Sequence, residues 1–146
     1  MRRALTARLR GLCRAHRVAL LVAGDWRAAV VFNCDGVHLP EVTLNHVTPG
    51  LRLWRRSKGI IVTAAAHSAR ALRCARAQHI DAVLLSPVLP TASHPDRLAL
   101  GRVRYAMMAR TARVPVVALG GITRTTVRAL NGTRTSGVAG IGFALS

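Results

Sequence analysis

Short, continuously apolar runs alternate along this chain with longer segments whose apolar positions recur at helical spacing. Residues 18–23, 60–64, 82–85, 116–119 and 138–141 read as buried strands, and Asp35-Gly36-Val37-His38-Leu39 as a turn into another. Between them, Leu5, Leu9 and Leu12 mark one face of a helix over residues 3–16. Asp25 caps a helix through residues 28–32. Pro49 opens one that stops at Lys58-Gly59, with basic residues in its last turns. Ser68 caps a helix through residue 78. Residues 101–113 and 123–131 are helical, the latter with Thr123 at its N-cap. The stretch 86–100 carries three prolines and reads as a long loop.

Six apolar strands alternating with helices predict a parallel sheet covered by helices. Two architectures fit, a doubly wound open sheet and part of an eight-stranded barrel. The first wants a glycine-rich turn after its first strand, and Ala23-Gly24-Asp25 is not one. The barrel places phosphate sites after its seventh and eighth strands. Counted back from the C-terminus, Gly120-Gly121 follows the seventh and Gly140-Ile141-Gly142 ends the eighth. The reading is therefore α/β, an incomplete (β/α)8 barrel with about six strands, in one domain over residues 1–146.

Composition adjusts this picture in three places. The 146 residues are 51% apolar but only 3% aromatic, so the core is built from Ala, Val, Leu and Ile. No apolar run approaches the about 18 residues that span a bilayer. Met1-Arg2-Arg3 followed by residues 18–23 has the outline of a signal peptide, but the apolar part is too short and more arginines intervene, so a cytoplasmic location is expected. Cys13, Cys34 and Cys74 fit neither a metal spacing nor a disulfide framework and are expected to be reduced, buried thiols.

The net charge of +17 raises nucleic-acid binding as a function. Its pattern argues otherwise. The arginines are spread over nearly every expected helix (Arg8, Arg10, Arg14; Arg52, Arg55, Arg56; Arg70, Arg73, Arg76; Arg124, Arg128), and no stacking aromatics interleave with them. Nucleic acid is set aside as a partner, while small anions remain favoured.

The candidate chemistry sits at strand ends. In Pro115 to Ile122 an apolar strand runs into two glycines, with Thr123 behind them. Such a turn lets backbone N–H groups approach a phosphate. His38, His67, Thr91, Ser93 and His94 follow other strands, and a barrel would turn all of them toward one mouth. His67 suits a proton shuttle, although capping or filling space is the plainer role. His38 reads as a structural strand-end histidine. Thr91 and Ser93 offer hydroxyls to an anion or simply shape the loop.

Several words then occur in the order and near the spacing of one known family: Asp35-Gly36-Val37-His38-Leu39, Ala66-His67-Ser68, Pro87-Val88-Leu89-Pro90-Thr91-Ala92-Ser93-His94-Pro95, Leu100-Gly101, Pro115 to Ile122 and Gly137-Val138-Ala139. From about Leu9 onward the chain resembles the thiamine phosphate synthase/TenI family. The resemblance implies a (β/α)8 barrel and an enzyme of thiamine biosynthesis. The synthase joins a thiazole phosphate to an aminopyrimidine pyrophosphate, releasing pyrophosphate with Mg²⁺ help. The TenI branch isomerises a thiazole carboxylate phosphate without metal, and His67 stands where its general acid–base stands. Gly120, Gly121, Ile141 and Gly142 would hold the thiazole phosphate, and Thr91, Ser93 and His94 the rest of the substrate.

Departures from the family pattern accompany the matches. Ala23-Gly24 replaces a metal-binding Asn-Asp pair, leaving Asp25 as the one weak metal candidate. Thr43 takes the place of a second metal-binding Asp, with Glu41 near it. Ala65 replaces a serine, and His94 a pyrophosphate-binding lysine. Mg²⁺ is thus expected only if Asp25 or Glu41 rescues its site. The resemblance also implies that a first strand, a first helix and a second strand with a Gln-x-Arg-x-Lys motif would precede Arg3, and that a last helix would follow Ser146. Six strands of eight leave open edges that a second copy of the chain could cover. A non-catalytic phosphate-binding remnant is a further alternative.

Overall fold

The computed structural model describes residues 2–91 and 97–140, with side chains from residue 5 onward. Its contacts group into two compact units, residues 1–63 and 64–146, and the division falls within one strand.

In the first unit, α1 (Arg2–Ala15), β1 (Leu21–Ala23), α2 (Trp26–Val31), β2 (Gly36–Leu39), a 3-10 segment (Glu41–His46) and α3 (Pro49–Lys58) lead to β3 (Ile61–Ala66). β1 and β2 pair in parallel, Leu21 opposite Gly36 and Ala23 opposite His38. The expected strand over 18–23 is shorter than its apolar run, because only Leu21–Ala23 finds a ladder. Val18 is left exposed. The 3-10 segment has no counterpart among the expected elements. It begins after Pro40 without a side-chain cap, so no local signal announces it. A Cβ at Gly36 would overlap the Ile61 carbonyl, which is why β2 opens on glycine. Ala29, Val37, Leu44, Leu51 and Val62 fill this unit's core.

Three helices here end in the same way. Arg17, Asn33 and Gly59, the reversing residues after α1, α2 and α3, all have positive φ, at 55°, 50° and 61°. Past the reversal, Val18 N–H donates to Cys13 and Cys34 N–H to Ala29, while in α3 Gly59 itself donates to Arg55.

In the second unit, α4 (Ala69–Ala77), β4 (Ala82–Leu85), α5 (Gly101–Thr111), β5 (Val116–Leu119), a 3-10 segment (Thr126–Leu130) and β6 (Gly137–Ala139) follow. β5 pairs in parallel with both β4 and β6. Strand order follows chain order, β1-β2-β3-β4-β5-β6, with helical elements between successive strands. Val83, Leu85, Val116, Ala118 and Tyr105 are fully or almost fully buried, and the Tyr105 hydroxyl is satisfied at 2.9 Å by Thr135 Oγ1.

Two expectations are corrected. Residues 123–131 do not form an α-helix. Thr123 Oγ1 does accept the Thr126 N–H at 3.1 Å, but Thr126 Oγ1 donates to the Gly121 carbonyl at 2.8 Å. Clustered threonine hydroxyls offer the backbone other partners, and only Thr126–Leu130 winds, as 3-10 helix. Of the three thiols, all free, only Cys34 is buried, because Cys13 and Cys74 lie on half-exposed helix faces.

Candidate active site

The second unit brings His67, Ser86, Arg97 and the Gly120-Gly121 turn into one connected group. β3 ends at Ala66, and Ser68 starts α4 by accepting the Ala71 N–H at 3.1 Å. His67 is held in the single step between strand and helix. Its Nδ1 lies 2.8 Å from the Ser86 carbonyl and 3.3 Å from Ser86 Oγ. A carbonyl only accepts, so Nδ1 carries a proton, and in the neutral ring Nε2 then carries the lone pair. An Arg97 guanidinium nitrogen stands 3.4 Å from Nε2 and donates toward it. The imidazole is thereby fixed in one tautomer, with its basic nitrogen beside a permanent cation.

Ser86 also ties β3 to the loop beyond β4, since its N–H donates to the Ala66 carbonyl at 3.1 Å. That loop then lies across the end of β5. Val88 N–H donates to Leu119 and Leu89 N–H to Gly120, both at 3.0 Å. Gly120 and Gly121 have φ of +92° and +68°. A Cβ at Gly120 would come within 2.9 Å of Pro87, and one at Gly121 within 2.6 Å of the Pro90 carbonyl. The two glycines therefore let the proline-rich loop pack on the strand end, whatever ligand the turn takes. A full α-helix does not stand behind them, so a phosphate here would rely on backbone N–H groups and the threonine hydroxyls. A helix end would add little to it.

The remaining sequence candidates divide. Thr91 is half-buried on the same loop. Ser93, His94, Ile141 and Gly142 lie outside the described residues. In the first unit, Asp25 Oδ1 accepts the Ala28 N–H at 3.0 Å and caps α2. Glu41 opens the 3-10 segment. His38 Nδ1 is 2.9 Å from Thr63 Oγ1, and burial pushes its pKa below the usual histidine value. Among the described residues no three His, Cys, Asp or Glu side chains come together as a metal site would need. Ser86 and Arg97 were not singled out from the sequence. Ser86 could have been found as the residue directly after a strand. Arg97 was hidden among 22 basic residues.

Comparisons with known proteins agree with this architecture. A protein of Aquifex aeolicus provisionally named thiamine-phosphate synthase 2 is 30% identical over 141 residues, which are 97% of this chain and 74% of that protein. The thiamine-phosphate synthase of a Synechococcus species is 33% identical over 116 residues, 80% of this chain but 32% of its relative. The chain thus spans from about a third to about three-quarters of these relatives. The solved thiamine phosphate pyrophosphorylase of Pyrococcus furiosus superposes with a TM-score of 0.74 at 23% identity, covering 94% of this chain and 64% of the other. The fold is that α/β, barrel-type fold, and no helix among the described residues is long and apolar enough to cross a membrane. The thiamine monophosphate synthase family model matches residues 1–143, and the chain belongs to that family.

Proposed function

We propose that this chain acts in thiamine biosynthesis on a phosphorylated thiazole, as a thiamine phosphate synthase-type transferase. The observation that carries the reading is the family match over residues 1–143. In the reaction a thiazole phosphate displaces pyrophosphate from an aminopyrimidine pyrophosphate, and a carbon–nitrogen bond forms as a carbon–oxygen bond breaks. Mg²⁺ seeks several oxygen ligands in octahedral array. The carboxylates here do not fit it: Asp25 is engaged at the start of α2, and the described residues offer no cluster of donors. No step is therefore drawn through a metal. The part of the reaction that this chain's own groups support is anion binding around Gly120, Gly121 and Arg97.

A second reading is favoured by His67. A neutral imidazole with a fixed tautomer can take a proton from carbon at Nε2 and return it elsewhere on the same ring. That is isomerisation of a thiazole carboxylate phosphate, with Arg97 placed to hold the carboxylate. The full chain should be incubated with both thiamine precursors and Mg²⁺, and separately with the thiazole carboxylate phosphate. Appearance of thiamine phosphate supports the first reading, and its absence overturns it. Isomerisation lost in a folded His67→Ala protein supports the second, whereas isomerisation that survives the substitution removes His67 from the chemistry.

A further inference from the structure

The first unit contains a cavity of about 740 Å³ that none of the preceding chemistry uses. It opens at the N-terminal ends of β1, β2 and β3, where the reversing turns after α1, α2 and α3 converge. Its volume is that of a small-molecule pocket. Arg14, Arg17 and Lys58 line it, against one carboxylate, Asp35. That carboxylate is already engaged, for its Oδ2 accepts the Leu20 N–H at 2.8 Å. Trp54 forms part of the wall, and apolar residues such as Val18 and Ile60 contribute the rest.

The plain account of these cations is that they offset the partial negative charge of three helix C-termini. Two observations argue that charge is left over. The last carbonyls of α1 and α2 are largely taken by the returning chain: Cys13, Arg14, Ala29 and Val30 each accept a backbone N–H from their own turn. A fourth cation also lies near. Arg10 Nε is sealed from solvent with no hydrogen-bond partner, and its positive charge is felt at Cys34 on the cavity wall.

We propose that this cavity is a second ligand site, for a small aromatic or heteroaromatic phosphate. Arg14 and Arg17 take the phosphate, Lys58 sits beside the ring substituents, and Trp54 meets the ring. Guanidinium forks suit phosphate oxygens, and indole suits a flat ring. The site is independent of His67 and of the reaction proposed above.

Lys58 is the only lysine in the chain, which permits a direct test on the chain as it stands. Pyridoxal 5′-phosphate is the probe, and 5′-deoxypyridoxal, which lacks the phosphate and, unlike pyridoxal, cannot close on its own aldehyde, is the comparator. Each forms an imine with an amine, losing water, and borohydride reduces the imine to a stable secondary amine. Peptide mass mapping then separates Lys58 from the N-terminal amine. The expected result is saturable labelling of Lys58 by the phosphate at least about tenfold faster than by 5′-deoxypyridoxal, corresponding to about 1.4 kcal/mol of phosphate recognition. It should come with quenching of tryptophan emission and fall about tenfold in Arg14→Gln. Equal rates for the two aldehydes in the unaltered protein would overturn the proposal, and that arm depends on no variant folding. Unchanged labelling in a folded Arg14→Gln protein would also overturn it, leaving the cations as caps for helix ends.

Discussion

At the scale of single residues, the glycines separate into two kinds, and stability measurements can tell them apart. Gly59 and Gly121 both have positive φ, but a Cβ meets nothing within 4 Å at Gly59 and a backbone carbonyl at 2.6 Å at Gly121. Gly59→Ala should cost about 1 kcal/mol, the strain of the left-handed backbone. Gly121→Ala should cost more than about 2 kcal/mol, because the loop must also move. Urea denaturation midpoints measure the difference. His38 predicts a pH dependence. Burial lowers its pKa in the folded protein, so below about pH 6.5 the unfolded chain binds more protons than the folded one. Its contribution is whole above that pH and is lost as pH falls toward the folded value. Denaturation midpoints at pH 7.5 and 5.0 should therefore differ less in His38→Gln than in the unaltered chain. The strand-end positions of His67 and Gly120-Gly121 were legible in the sequence, because each stands where an apolar run stops. Arg97 was not, since one arginine among so many carries no local mark and only its distance to His67 distinguishes it.

At the scale of elements, what was legible followed local chemistry. Ser68 and Asp25 cap helices as expected, and Pro49 and Gly59 bound α3, because each of these residues acts on backbone groups within four positions. Ser68→Ala and Asp25→Ala should each lower stability by about 1 kcal/mol, measured by thermal unfolding. The elements that escaped depend on competition or on pairing. The segment after Gly121 has a capping threonine, but further hydroxyls draw the backbone into a turn and a short 3-10 helix. β1 stops short of its apolar run because strand length is set by the neighbouring strand's register, which no single stretch of sequence encodes.

At the scale of the whole molecule, charge and fold tell separate stories. The alternation of strand and helix was enough to predict an α/β fold with parallel strands, since periodicity is read over every element at once. The net charge of +17 does not bear on the fold. It predicts sequence-independent attraction to polyanions. Retention on DNA-cellulose should be firm at about 50 mM salt and lost by about 300 mM, without preference among sequences. Persistent binding at high salt, or discrimination between sequences, would instead restore nucleic acid as a partner.

The turn after α1 links these scales. Arg17 holds a φ of 55°, a conformation that costs a residue with a side chain about 1 kcal/mol and that glycine takes freely. A chain selected for durability alone would carry glycine there, as it does after α3. Arg17→Gly should raise the melting temperature by about 2–4 °C while slowing pyridoxal phosphate labelling of Lys58. The arginine then marks a trade, a little endurance given up to keep a positive charge at the mouth of a cavity.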